Sequence, residues 1–193
     1  MLRWENTFVR GGAGERRGGK AKEMAENQKR EGGDYRADPR VHIGHVHLKV
    51  ADLPRALRFY AGVLGLEVMQ RYGDGAVFLS AGGYHHHIAL NTWESLGGSA
   101  PPPGTTGLYH TAIVYPTRAA LATALRRVLE AKIPLQGAAD HGVSESIYLS
   151  DPDENGVELY CDKPKEKWPR AADGKLEMYT RGLDLHQLLK EAP

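Results

Sequence analysis

From His42 onward apolar and polar side chains alternate. Val46, Leu48 and Val50 point one way while His45, His47 and Lys49 point the other, the period of two that a half-buried strand imposes. Asp52 then stands where a helix N-cap belongs, and Pro54 falls in the first turn. Leu53, Leu57, Tyr60 and Leu64 form an apolar stripe that Gly65 ends. Three strand-like runs follow, over 66–71, 76–81 and 84–93, separated by the turn signals Gly73-Asp74-Gly75 and Gly82-Gly83.

After a Gly/Pro-rich linker over 97–104 the same order begins again. The pattern predicts a strand over 108–115, a cap at Thr117 and a helix with Leu121, Leu125 and Val128 as its stripe, ending near Lys132. Strands over 133–136, 144–150 and 156–162 complete the copy, the last two joined by the turn 151–155. The predicted fold class is α+β: two βαβββ modules forming a curved eight-stranded mixed sheet around one metal cleft. His45 and His110 hold the same place on the first strand of each copy, so duplication makes them spatial counterparts.

Charge and composition narrow the function classes. The 193 residues carry 25 Lys+Arg against 24 Asp+Glu, a net charge of +1, too little for capture of nucleic acid or an anionic membrane. The one cysteine, Cys161, excludes a disulfide framework and a thiolate metal cluster. No apolar run reaches the ~18 residues of a membrane span, and the N-terminus lacks a signal-peptide pattern. These features lead to an expectation of a soluble cytoplasmic protein without nucleic-acid or membrane partners. Residues 1–40 hold seven glycines, ten basic and seven acidic residues and no lasting apolar period, the composition of a flexible arm. A single domain is expected over 41–193, with modules at about 41–94 and 107–163 and a C-terminal extension over 164–193.

The candidate chemistry lies on the polar faces of the strands. On the last strand Val157 and Leu159 pack inward, which leaves Glu158 and Tyr160 on the opposite face. Paired modules would therefore bring His45, His110 and Glu158 together as two imidazoles and one carboxylate, the facial arrangement typical of non-haem Fe(II) oxygenases. Imidazole nitrogen and carboxylate oxygen suit Fe(II) or Mn(II). His47 shares the face of His45 and is its rival as a ligand. By the same parity His85 and His87 look into the cleft and His86 does not. His141, in Asp140-His141-Gly142, and Tyr148 are the imidazole and phenol suited to moving protons beside a bound diol and O₂. The competing assignments are structural: hydrogen-bonded strand histidines, a loop-capping His141 and an edge-of-core Tyr148.

His45-Val-His-Leu-Lys-Val-Ala-Asp-Leu, Phe59-Tyr60, Leu64-Gly65-Leu66 and Asp151-Pro152-Asp153-Glu154-Asn155-Gly156-Val157-Glu158-Leu159 resemble the paired modules of the vicinal oxygen chelate superfamily, which includes glyoxalase I, bleomycin-resistance proteins and extradiol dioxygenases. The run from Gly83 to Trp93, Asp140-His141-Gly142-Val143-Ser144-Glu145 and the ending Gly156-Val157-Glu158-Leu159-Tyr160 are similar to its catechol-2,3-dioxygenase-like branch. This resemblance implies His45, His110 and Glu158 as metal ligands, His87 as the acid/base histidine, and His141 and Tyr148 as groups around them. It implies ring cleavage of a small aromatic diol by O₂ on Fe(II) or Mn(II), and it allows for a homodimer. The alternatives are a glyoxalase-type lyase or isomerase, with Ni or Zn, and a protein that sequesters a small molecule without turnover. Glyoxalases typically add a fourth ligand, often Glu, on the strand that here holds His87 and Ala89, and no carboxylate stands there.

Overall fold

A computed structural model describes residues 35–193, so the arm expected over 1–40 falls, up to residue 34, outside the described residues. The chain divides between Ile43 and Gly44. In the described part of the first unit, Asp38 accepts the Arg40 backbone N–H at 2.9 Å and its guanidinium at 2.7 Å. The rest of the account concerns Gly44–Pro193.

Each sequence copy keeps the predicted order of elements, although bounds differ: the strand expected over 133–136 runs over Leu135–Asp140, and the one expected over 108–115 over Thr111–Val114. The first runs β1 (Val46–Lys49), α1 (Leu53–Leu57), a π-helical turn (Arg58–Val63), β2 (Glu67–Tyr72), β3 (Ala76–Ser80) and β4 (Ile88–Asn91). The second runs β5 (Thr111–Val114), α2 (Arg118–Glu130), β6 (Leu135–Asp140), β7 (Ser144–Ser150) and β8 (Gly156–Asp162). A 3₁₀ turn (Lys165–Lys167), β9 (Arg181–Gly182) and α3 (Leu185–Leu189) follow. The eight expected strands are present within a mixed α+β fold, but hydrogen bonding groups them as two sheets. Their orders are β1-β4-β3-β2 and β5-β8-β7-β6-β9, the short β9 being the addition.

Duplication is visible in the ladders. In each copy the first strand pairs in parallel with the fourth, and the remaining neighbours pair antiparallel. The register slips once at matching places, between Val68 and Gln70 on β2 and between Leu135 and Gly137 on β6. One extra residue there bends the strand and increases its twist.

The helices form for the expected local reasons. The Asp52 carboxylate accepts the Arg55 N–H at 2.8 Å and the Thr117 hydroxyl accepts the Ala120 N–H at 3.1 Å, each satisfying an orphan donor of the first turn. Leu121, Leu125 and Val128 are fully buried. The first helix departs from the predicted stripe. Its second half widens to a π turn, in which the Leu64 N–H reaches back five residues to the Phe59 carbonyl at 3.0 Å. This turns Phe59 and Tyr60 together into the core with Leu53 and Ala56, while Leu57 and Leu64 are only partly buried.

The turn 151–155 staples the modules. The Asp151 carboxylate accepts the Tyr60 hydroxyl at 2.9 Å, the Asp153 and Asn155 N–H groups at 2.8 and 2.9 Å and the Asn155 side chain at 2.9 Å. Asp153 accepts the Ala51 N–H at 2.8 Å and the Arg55 guanidinium at 2.6 Å. Burial, reinforced by Asp151, pushes the Tyr60 phenol far above its usual range, so it remains a donor. Tyr60→Phe removes one donor from a buried carboxylate and is expected to cost about 1–3 kcal/mol. A lower urea midpoint at unchanged slope is the readout, and an unchanged midpoint would mean that the contact carries no net stability.

Candidate active site

The second sheet positions the site through two registers. Parallel pairing sets Ala112 opposite Glu158, with His110 just ahead of β5. Antiparallel pairing sets Tyr148 opposite Glu158 from the other side. Because Val157 and Leu159 are buried in the core, strand alternation delivers Glu158 to the opposite face. There the carboxylate is held at both oxygens. His110 Nε2 lies 2.9 Å from Oε2, and the Tyr148 hydroxyl donates to Oε1 at 3.1 Å. The same hydroxyl lies 2.7 Å from His141 Nε2. Burial and the Glu158 charge raise the Tyr148 phenol above its usual range.

A cavity of about 630 Å³ opens over this chain, lined among others by Tyr109, His110, His141, Tyr148 and Thr180. The volume is within the range of small-molecule sites. His141 reaches the cavity from a tight loop. Gly142 has φ +81°, a left-handed conformation that favours glycine, and its N–H donates to Asp140 at 2.8 Å. Lys163 Nζ lies 2.6 Å from the same oxygen. Burial raises the Asp140 pKa, but the Lys163 and Gly142 hydrogen bonds outweigh it and keep the carboxyl below its usual range. At the other ring nitrogen, Nδ1 faces the Tyr179 carbonyl at 3.3 Å and the Thr180 hydroxyl at 3.2 Å.

The first sheet holds the other histidines. The expected strand over 84–93 begins only at Ile88, and the chain is irregular over 84–86 after the Gly82-Gly83 turn, so parity does not extend to His85 and His86. His87 still bonds to both neighbours, its N–H donating to the Leu79 carbonyl at 2.8 Å and its carbonyl accepting the Val46 N–H at 3.0 Å. His86 consequently does not turn away. Its ring lies 4.3 Å from that of His45 and 5.1 Å from Phe78, and its Nδ1 is 2.8 Å from His85 Nδ1. Burial and the surrounding imidazoles lower the His86 pKa. His47 is committed elsewhere: it accepts the Asn91 amide at 2.9 Å and packs against Trp93, and burial, then His45, lower its pKa. His87 is anchored through Nδ1 to the Ser80 hydroxyl at 2.9 Å and stacks on Tyr84. His47 pairs with Ala89 as Ala112 pairs with Glu158, so Ala89 is the duplication counterpart of Glu158 and His87 precedes it by two residues.

Two donors suit a divalent ion. Ligands at right angles, each ~2.1 Å from a metal, lie about 3 Å apart, and His110 Nε2 and Glu158 Oε2 are separated by 2.9 Å. The imidazole and carboxylate also suit Fe or Mn by their chemistry. His45 stands with His86 instead, and among the described residues no three His, Cys, Asp or Glu side chains gather closely enough to share one ion.

Sequence reasoning missed Tyr109, 90% exposed at the cavity, and the contribution of Tyr179 and Thr180. The proximity of Tyr109 to His110 along the chain was a usable signal. For Thr180 no local pattern exists, because β9 brings it to His141.

The comparisons agree with this architecture. The sequence model of the Glyoxalase/Bleomycin resistance protein/Dioxygenase superfamily matches residues 42–159. A Catechol-2,3-dioxygenase of Bacillus subtilis (strain 168) is 41% identical over 152 residues, covering 79% of this chain and 52% of that protein. Biphenyl-2,3-diol 1,2-dioxygenase 3 of Rhodococcus globerulus is 36% identical over 127 residues, 62% of this chain and 63% of that protein. The chain thus spans about half the length of the first relative. The crystal structure of a glyoxalase/dioxygenase from Nostoc punctiforme superposes with a TM-score of 0.56 at 20% identity, covering 67% of this chain and 97% of that one, and bears on the fold alone. With the profile covering more than half of its residues and the repeated βαβββ sheets to match, the chain belongs to the glyoxalase/bleomycin resistance protein/dioxygenase superfamily.

Proposed function

We propose that the chain carries the ring-cleaving site of an extradiol-type dioxygenase acting on a small catecholic diol with O₂. The observation that carries the reading is the series of polar contacts His110–Glu158–Tyr148–His141, of which His110, Tyr148 and His141 line one cavity, and the names of the two curated relatives support it. His110 and Glu158 would hold a divalent ion, with His45 from the first sheet as third ligand and Fe(II) as the metal, Mn(II) the alternative. When bound, such an ion supplies positive charge that favours the ionised diol and a redox-active centre for electron transfer to O₂.

The chain's own groups manage the protons. Tyr148, held protonated by burial and by Glu158, connects the carboxylate to His141 over 3.1 and 2.7 Å. The series runs as a donor chain, His141 to Tyr148 to Glu158, so His141 can deliver a proton through the Tyr148 hydroxyl toward the reacting oxygens, general-acid work suited to an imidazole and a phenol. His87, its ring fixed by Ser80, is the first-sheet candidate for the same work. Ala89 at the counterpart position of Glu158 offers no carboxylate, which weighs against the lyase reading.

The test is oxygen consumption by the anaerobically purified chain loaded separately with Fe(II), Mn(II), Ni(II) or Zn(II), with catechol as substrate. Catechol-dependent O₂ uptake with Fe or Mn only is expected. Absence of uptake with all four metals would overturn the proposal.

A further inference from the structure

The hydrogen-bonded series does not stop at His141. Its Nδ1 meets a segment of the C-terminal extension that is built onto the loop. β9 pairs with β6 at Ala139↔Gly182 and Asp140↔Arg181. The Tyr179 N–H donates to the His141 carbonyl at 3.3 Å, and the Arg181 guanidinium lies 4.2 Å over the Tyr179 ring. The seat is tight: a Cβ at Gly142 would come within 2.7 Å of Pro169 and 2.8 Å of Tyr179.

Counting protons along the series fixes which groups donate. An ionised carboxylate only accepts, so Glu158 receives the hydroxyl hydrogen of Tyr148. The one hydroxyl hydrogen of Tyr148 is then spent, and its oxygen can only accept from His141 Nε2. A neutral imidazole protonated at Nε2 has a bare lone pair at Nδ1. The Tyr179 carbonyl, itself an acceptor, cannot bond to a bare nitrogen, whereas the Thr180 hydroxyl at 3.2 Å can donate to it.

We propose that Thr180 is a positioning residue that holds neutral His141 as its Nε2–H tautomer, with the Tyr179 carbonyl receiving the Nδ1 hydrogen when the imidazole is protonated. Both charge states of His141 are thereby hydrogen-bonded at Nδ1, and Nε2 presents a hydrogen to Tyr148 in each. The catalytic consequence rests on the dioxygenase reading; the tautomer does not.

The experiment uses the full chain labelled with ¹⁵N-histidine, with two-bond ¹H–¹⁵N correlations at alkaline pH and the His141 signals identified by their loss in His141→Gln. The wild-type imidazole is expected as Nε2–H. In Thr180→Val it should shift toward Nδ1–H, bonded to the Tyr179 carbonyl, and Thr180→Ser should restore it. In catechol turnover, Thr180→Val should lower kcat by about tenfold with KM changed by less than about twofold, and Ser should recover kcat. Retention of Nε2–H in the Val variant, or a Ser variant that behaves like Val, would overturn the assignment. A tautomer shift with kcat intact would overturn the catalytic consequence. A wild type that consumes no O₂ with catechol would sink the dioxygenase reading and leave the NMR arm decisive for Thr180.

Discussion

Glu158→Gln is expected to remove nearly all catechol-dependent O₂ uptake, on the order of 10³-fold. On the proposed function Glu158 is an anionic ligand, whose loss forfeits several kcal/mol of charge stabilisation at the reacting centre, and each 1.4 kcal/mol is about tenfold. The substitution keeps the shape. The amide oxygen can still accept the Tyr148 hydroxyl that now reaches Oε1 at 3.1 Å, and the neighbouring Val157 and Leu159 remain in the core. The far-ultraviolet circular dichroism spectrum should therefore match wild type while bound iron falls to a small fraction of it. A variant that kept both iron and turnover would remove Glu158 from the ligand set. One that kept iron but lost turnover would reassign the carboxylate to proton handling through Tyr148.

The same substitution separates the two candidate sets of residues. His110, Tyr148 and His141 are linked to Glu158 by an unbroken series of polar contacts, whereas His45 stands with His86 on the other sheet. The iron content of His45→Ala, measured beside that of Glu158→Gln, reports whether the first sheet supplies the third donor.

What was legible in the sequence was whatever strand alternation and local capping control. The parity of Val157, Glu158 and Leu159 holds because β8 is paired on both sides and cannot slip without burying a carboxylate. Asp52 and Thr117 cap helices because a short polar side chain before a helical stripe has an orphan N–H to satisfy. Parity failed over Tyr84–His86, where the double-glycine turn with φ of +68° and +77° leaves the chain irregular until the backbone of His87 rejoins its neighbours. Once pleating is absent, alternation no longer says which way His85 and His86 face. Thr180 was illegible for a different cause. Its place at His141 depends on β9, two residues long and paired across about forty positions of chain, and so short a strand leaves no periodic trace. The Asp151-Pro152-Asp153 turn was legible as a turn but not as the staple between Tyr60, Ala51 and Arg55.

Gly156→Ala should damage the site without touching any ligand. Gly156 begins β8 directly beside the Tyr109–His110 backbone. A Cβ there would fall inside contact distance of the Tyr109 carbonyl oxygen and within 3.1 Å of the His110 Cα. The constraint is one of space, since Gly156 is not among the residues of positive φ. Backbone cannot swing aside as a flexible side chain can, so the start of β5 must move away from β8 and take His110 with it. The 2.9 Å separation between His110 Nε2 and Glu158 Oε2 depends on that approach. The variant is expected to lose about 1–3 kcal/mol of stability, with a thermal midpoint lower by several degrees, and to bind Fe(II) roughly 10–100-fold more weakly. Gly137→Ala provides the comparison on the same sheet, because its Cβ would meet only the Tyr148 ring, at an ordinary 3.9 Å, and should bind metal as wild type does. Competition of each variant against a chelator of known affinity reads the difference. Equal affinities for the two would show that the close approach of Gly156 to His110 does not govern the metal site.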